Sequence, residues 1–150
     1  MSTRFAHVSL VARDWRRLSS FYRDAFGCVP IGAERDLEGR WLDEAVGVHG
    51  AHIRGIHLRL PSGGDAGPTL EIFEYIPSRT SEPPTANRPG FAHIAFEVDD
   101  VDAAVARMIE HGGSRLGATT VRSIAGAGRT TFAYARDPEG NLIELQRWEA

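Results

Sequence analysis

The feature that most constrains this chain is that it repeats itself. Residues 5–27 read FAHVSLVARDWRRLSSFYRDAFG and residues 91–113 read FAHIAFEVDDVDAAVARMIEHGG, and the two align without gaps at an offset of 86. Phe5, Ala6, His7, Asp14 and Gly27 recur as Phe91, Ala92, His93, Asp100 and Gly113. A chain built of two like units must give each unit the same layout of elements, and a recurring residue the same place.

Each unit opens as a strand followed by a helix. Val8 and Leu10 match Ile94 and Phe96, an alternation that suits a strand with one face against a helix. Trp15, Leu18 and Tyr22 match Val101, Ala104 and Met108, the spacing of a buried helical stripe. Asp14 and Asp100 can accept the free N–H groups of the first turns. Gly27 and Gly112 or Gly113 suit a left-handed stop. The rest of each unit reads as strands. In the first, Ile53–Leu60 and Thr69–Ile76 flank the turn sequence PSGGDAGP. In the second, Thr130–Ala135 and Asn141–Trp148 flank DPEG, where Pro138 presets φ and Gly140 tolerates positive φ. Residues 32–52 carry no clear period, and RWLDEAVGVHG is compatible with a short helical turn or an irregular loop. The expected organisation is one α+β domain: module one over about residues 1–76, a Pro-rich linker over about 77–90, and module two over about 91–150.

Alternation also says which side chains share a face. With Val8 and Leu10 turned to the helix, His7 faces the other way, and His93 does likewise. In LEIFEY, Glu71, Phe73 and Tyr75 share a face and Glu74 does not; in NLIELQRW, Leu142, Glu144, Gln146 and Trp148 share one. Each unit so offers one His on its first strand and one Glu on its last. Two units paired about a pseudo-twofold axis would bring His7, Glu71, His93 and Glu144 to one cavity. That N2O2 set suits one divalent ion of Zn, Ni, Co, Mn or Fe. A single strand His or Glu is usually an ordinary core or surface residue; the recurrence of both is what favours ligation. His49, His52, His57 and His111 have no repeat partner, and the sequence sets them aside, His111 as a helix C-terminal residue and His57 as a strand residue outside the site.

Composition removes several other functions. The 150 residues carry a net charge of −3 and all 17 basic residues are arginine. Lysine-based Schiff-base chemistry and a P-loop are excluded, and no basic patch suggests nucleic acid. No apolar run approaches the ~20 residues of a membrane helix, and residues 1–6 hold no signal-peptide core, which places the protein in the cytoplasm. The lone Cys28 reads as a small buried hydrophobe.

FAHVSL, LEIFEY, FAHIAFEVDDVDAA and YARDPEGNLIEL give nearly the whole chain a resemblance to the vicinal oxygen chelate superfamily, which includes glyoxalase I, methylmalonyl-CoA epimerase, extradiol dioxygenases, fosfomycin-resistance enzymes and bleomycin-binding proteins. The resemblance implies two βαβββ modules forming a cupped mixed sheet around a metal, with helices on the outer face. It sets His7, Glu71, His93 and Glu144 on the four ligand positions of the glyoxalase I pattern. It further implies a lyase or isomerase acting on a small vicinal-oxygen substrate through a metal-stabilised enediolate, with Glu144 as base and Glu71 as second candidate. Phe73, Tyr75, Phe132 or Tyr134, and Trp148 are candidates to shape the pocket. Tyr75 stands where glyoxalase I tends to carry an asparagine near its glutathione site, a departure that counts against glutathione as co-substrate and leaves open whether glutathione or CoA is involved. Two rivals are an Fe(II) extradiol dioxygenase, against which Glu71 counts, and a non-catalytic metabolite- or antibiotic-binding resistance protein, against which the full ligand set counts. Exposed sheet edges favour a homodimer.

Overall fold

The computed structural model describes residues 2–149, and its first strand, β1 (His7–Val11), alternates exposed and half-buried side chains as the pattern requires. Asp14 then caps α1 (Trp15–Phe26), accepting from the Arg17 backbone N–H at 3.0 Å. The helix stops at Gly27, whose φ of 70° is open to glycine at no steric cost. Trp15, Leu18, Ser19, Phe21 and Tyr22 are its buried face. The chain continues through β2 (Val29–Glu38), α2 (Arg40–Val46), β3 (His52–Arg59) and β4 (Thr69–Ile76). These strands form a four-stranded mixed sheet in the order β1-β4-β3-β2, with β1 parallel to β4 and the other pairs antiparallel. Leu18 and Tyr22 of α1 and Leu58, Leu70 and Ile72 of the sheet are fully buried. Each contributes roughly 1.5–3 kcal/mol relative to exposure.

The second unit repeats this plan. It runs β5 (His93–Glu97), α3 (Val101–Glu110), β6 (Ser114–Arg115), β7 (Thr120–Ile124), β8 (Gly128–Arg136) and β9 (Leu142–Glu149). The sheet order is β5-β9-β8-β6, with β7 also paired to β8 and β5 parallel to β9. Asp100 caps α3 by accepting from the Ala103 N–H at 3.0 Å. The positive φ after this helix, 95°, belongs to Gly112. The buried stripe is Val101, Val105 and Met108, so Val105 takes the place expected for Ala104. Asp137 closes the β8–β9 turn: its Oδ1 accepts from the Glu139 and Asn141 backbone N–H groups, and its Oδ2 from the Asn141 side chain.

The α+β class and the repeated βαβββ plan hold, with additions the sequence did not resolve. The first unit inserts α2, and the segment before it, read as lacking a period, is the strand β2. In the second unit two short strands, β6 and β7, line β8 where the first has β2 along β3. The chain separates into two compact units, Met1–Thr80 and Ser81–Ala150. Among the described residues no helix is long and apolar enough to cross a membrane.

Candidate metal centre

In a parallel pair of strands the register decides which side chains become neighbours. On β1 and β4, His7 pairs with Thr69 and Ser9 with Glu71, so Glu71 lies one step along the same face from His7. On β5 and β9, His93 pairs with Leu142 and Ala95 with Glu144. The two ladders carry their His and Glu in the same relation. His7 Nε2 is 3.3 Å from Glu71 Oε2, and His93 Nε2 is 2.9 Å from Glu144 Oε2. The Glu side chains are 13% and 18% exposed, enough to shield them while the imidazoles stay open to solvent.

These separations fit metal donors. Bonds of about 2.0–2.2 Å from one ion put cis ligands roughly 2.8–3.6 Å apart at octahedral to tetrahedral angles. Imidazole nitrogen with carboxylate oxygen is also the right chemistry for a first-row divalent ion. Among the described residues no group of three or more His, Cys, Asp and Glu side chains is set to hold an ion; the four residues expected from the sequence are brought together as two pairs, one in each unit.

Each carboxylate has a further partner, on the strand directly across from it. His57 is opposite Glu71 on β3, and its Nε2 lies 3.0 Å from Glu71 Oε1. Tyr134 is opposite Glu144 on β8, and its hydroxyl donates to Glu144 Oε2 at 3.3 Å. His57, which the sequence reading sets outside the site, thus contacts Glu71, and the residue in the corresponding place of the second unit is a tyrosine. The alignment at offset 86 hid this. His57 and Tyr134 are 77 residues apart and Glu71 and Glu144 are 73 apart, so the offset has already fallen by nine before β3 and β8 and falls by four more across the turns, where residues 60–68 and 137–141 join the strands. A ladder-based alignment of LEIFEY with NLIELQRW, carried back across each turn, is the signal that finds it.

Burial holds the His57 pKa below its ordinary value; the Glu71 charge opposes this, and the Arg35 and His7 charges add to it. Burial, then the Glu144 charge and its hydrogen bond, push Tyr134 up, so the phenol keeps its proton to donate. Rings fix both: His57 meets Phe73 edge-on at 5.6 Å and His7 at 6.2 Å, and Tyr134 meets His93 at 5.2 Å and Phe132 at 6.3 Å.

Other candidates fall elsewhere. Tyr75 packs on the core of Leu42, Ala51 and Ile53. Trp148 is 37% exposed. Glu74 is on the opposite face, paired with Arg54 at 3.0 Å. His49 and His52 pair with Asp43 and Asp36, and His111 ends α3. Cys28 is buried, which pushes its thiol up to about 11 and leaves it unsuited to act as a nucleophile at neutral pH.

A family model described as Glyoxalase/Bleomycin resistance protein/Dioxygenase superfamily matches residues 4–145. The uncharacterized protein YaeR of Escherichia coli K12 is 26% identical over 142 residues, which is 93% of this chain and 92% of that protein. A crystal structure of a glyoxalase family protein from Bacillus cereus matches with a TM-score of 0.83 at 22% identity, covering 100% of this chain and 97% of that one. A mutant of the fosfomycin resistance protein FosX from Listeria monocytogenes, solved with Mn(II) and 1S,2S-dihydroxypropylphosphonic acid, matches with a TM-score of 0.57 at 20% identity, covering 97% of this chain and 92% of that one. At these identities the solved structures speak for the fold alone.

Proposed function

The chain belongs to the Glyoxalase/Bleomycin resistance protein/Dioxygenase superfamily, and from that premise we propose that it is a metal-dependent lyase or isomerase of the glyoxalase I and epimerase kind. Its substrate class is a small molecule with two neighbouring oxygens. The observation that carries this reading is the His–Glu pair made twice at the same ladder register, His7 with Glu71 and His93 with Glu144. We propose all four as ligands of one divalent ion, with Zn, Ni, Co, Mn and Fe all compatible with the donors. We propose further that the protein is cytoplasmic and forms a homodimer.

When bound, the ion supplies Lewis acidity toward the neighbouring oxygens of the substrate. The chain's own contribution is to move a proton. Glu144 is the proposed base, because both of its contacts, to His93 and to Tyr134, fall on Oε2 and leave Oε1 to take a proton from the adjacent carbon. Glu71 has one oxygen at His7 and the other at His57, which suits holding rather than proton transfer.

The test is metal analysis of protein purified without chelators, followed by assays on thiol adducts of 2-oxoaldehydes, acyl-CoA epimers and catechols. About one ion per chain with turnover of an adduct or epimer is the expected result. Ring cleavage of a catechol would replace this reading by the dioxygenase one. A tightly bound compound returned unchanged, with no turnover on the panel, would replace it by sequestration.

A further inference from the structure

The two carboxylates are not equivalent, and the difference comes from the residue that faces each across its antiparallel ladder. Glu71 is met from both sides: Oε2 by His7 Nε2 at 3.3 Å and Oε1 by His57 Nε2 at 3.0 Å. Among the described residues Glu144 is met on one oxygen, Oε2, by His93 Nε2 at 2.9 Å and by the Tyr134 hydroxyl at 3.3 Å. His57 and Tyr134 hold homologous places, each directly across an antiparallel ladder from its carboxylate. One is an imidazole aimed at the oxygen the strand His leaves open. The other is a phenol aimed at the oxygen already in use. A carboxylate tied at both oxygens loses its freedom to rotate about its last torsion; one tied at a single oxygen keeps the other available.

We infer that His57 and Tyr134 are positioning residues that divide the labour of the two glutamates. His57 fixes Glu71 as a permanent metal ligand, and Tyr134 steadies Glu144 while leaving one oxygen free to act. The inference rests on the reading of Glu71 and Glu144 as metal ligands. His57 serves through its Nε2–H, which needs Nε2 to be the protonated ring nitrogen; the carboxylate beside it favours that tautomer. The ring stays in place through its edge contacts with Phe73 and His7. Partners of this kind, standing behind a ligand rather than on the metal, typically change metal affinity by about 10–100-fold when removed.

The test is Co(II) titration of the full-length protein, following both affinity and the d–d absorption bands, for the wild type, Glu71→Ala, His57→Phe, His57→Gln and Tyr134→Phe. Thermal unfolding of each metal-free protein is measured alongside. His57→Phe keeps the ring volume and removes the donor; His57→Gln restores an N–H donor at a similar reach on a more flexible stem. The expected result is a loss of about 10–100-fold in Co(II) affinity with shifted bands for His57→Phe, substantial recovery for His57→Gln, and a smaller loss for Tyr134→Phe, all with metal-free stability close to wild type. If Glu71→Ala abolishes binding but His57→Phe binds as tightly as wild type with unmoved bands, the ligand reading stands and this inference is overturned. Equal losses in His57→Phe and Tyr134→Phe also overturn it, because the asymmetry is then absent. If Glu71→Ala binds Co(II) like the wild type, the ligand reading fails and the inference fails with it.

Discussion

The Tyr134 hydroxyl and the Glu144 carboxylate stand directly opposite each other on neighbouring antiparallel strands, and the phenol donates to Oε2 across 3.3 Å. Glu144→Gln keeps an oxygen that can coordinate, but not one that takes a proton at neutral pH. Turnover of an active substrate should therefore fall by about 10²–10⁴-fold, with a smaller change in metal affinity. Glu71→Gln should show the reverse balance, a modest loss of turnover at saturating metal and weaker binding of the ion. Steady-state kinetics beside metal titration separate the two; small, equal losses would remove Glu144 from the base role.

His93 lies 2.9 Å from Glu144 and 30% of its side chain is exposed, so replacing it should cost the fold little and the ion much. His93→Ala should take metal content from about one ion per chain to almost none. Elemental analysis after gel filtration reads this directly. Unchanged stoichiometry would sink the proposed ligand set.

Asp43 gives a pH dependence of stability unrelated to metal. Its carboxylate accepts from the Gly50 and Ala51 N–H groups at 2.7 and 2.8 Å, and these bonds hold its pKa below the usual carboxylate value. A group whose folded pKa is depressed stabilises the fold above its unfolded pKa, near ~3.9 for Asp, and loses that effect as pH falls through the folded value. Asp43→Asn should lower the melting temperature at pH 7. The gap to wild type should close progressively below about pH 4. Thermal melts across that range give the answer, and a gap independent of pH would contradict it.

Gly55 packs where no side chain fits. A Cβ there would lie 2.0 Å from the Ile72 carbonyl oxygen and 2.9 Å from the Phe73 Cα, both backbone atoms. Gly55→Ala must push β3 and β4 apart, so it should cost at least ~1–3 kcal/mol. A lowered urea midpoint with an unchanged m-value would show it. Because Gly55 is two residues from His57 on the same strand, weaker Co(II) binding should accompany the loss.

Much of this was legible because the repeat and the alternation reinforced each other. Both Asp caps, the Thr69–Ile76 strand and the faces of His7, Glu71, His93 and Glu144 follow from short patterns whose cause is local. The strand Val29–Glu38 was not legible. It is the edge of its sheet, most of its side chains are exposed, and its register shifts between Ile31 and Arg35, so no period-two signal survives. Ser114–Arg115 and Thr120–Ile124 are short and largely exposed for the same reason. His57 was missed because its significance lies in a cross-strand partner, and the longer segment between α1 and β3 than between α3 and β8 broke the offset before it could be reached.

The Asp137 turn sets how this chain can change without losing its chemistry. Strand side chains alternate, so a slip of one residue on β9 would not shift Glu144 slightly; it would present Ile143 or Leu145 in its place and bury the carboxylate in the core. The β3–β4 turn is four residues longer than the β8–β9 turn, nine against five, yet His57 still meets Glu71 as Tyr134 meets Glu144. The connections between strands are where inherited variation accumulates. The ladders act as a ratchet that rejects any length change not absorbed before the next paired residue.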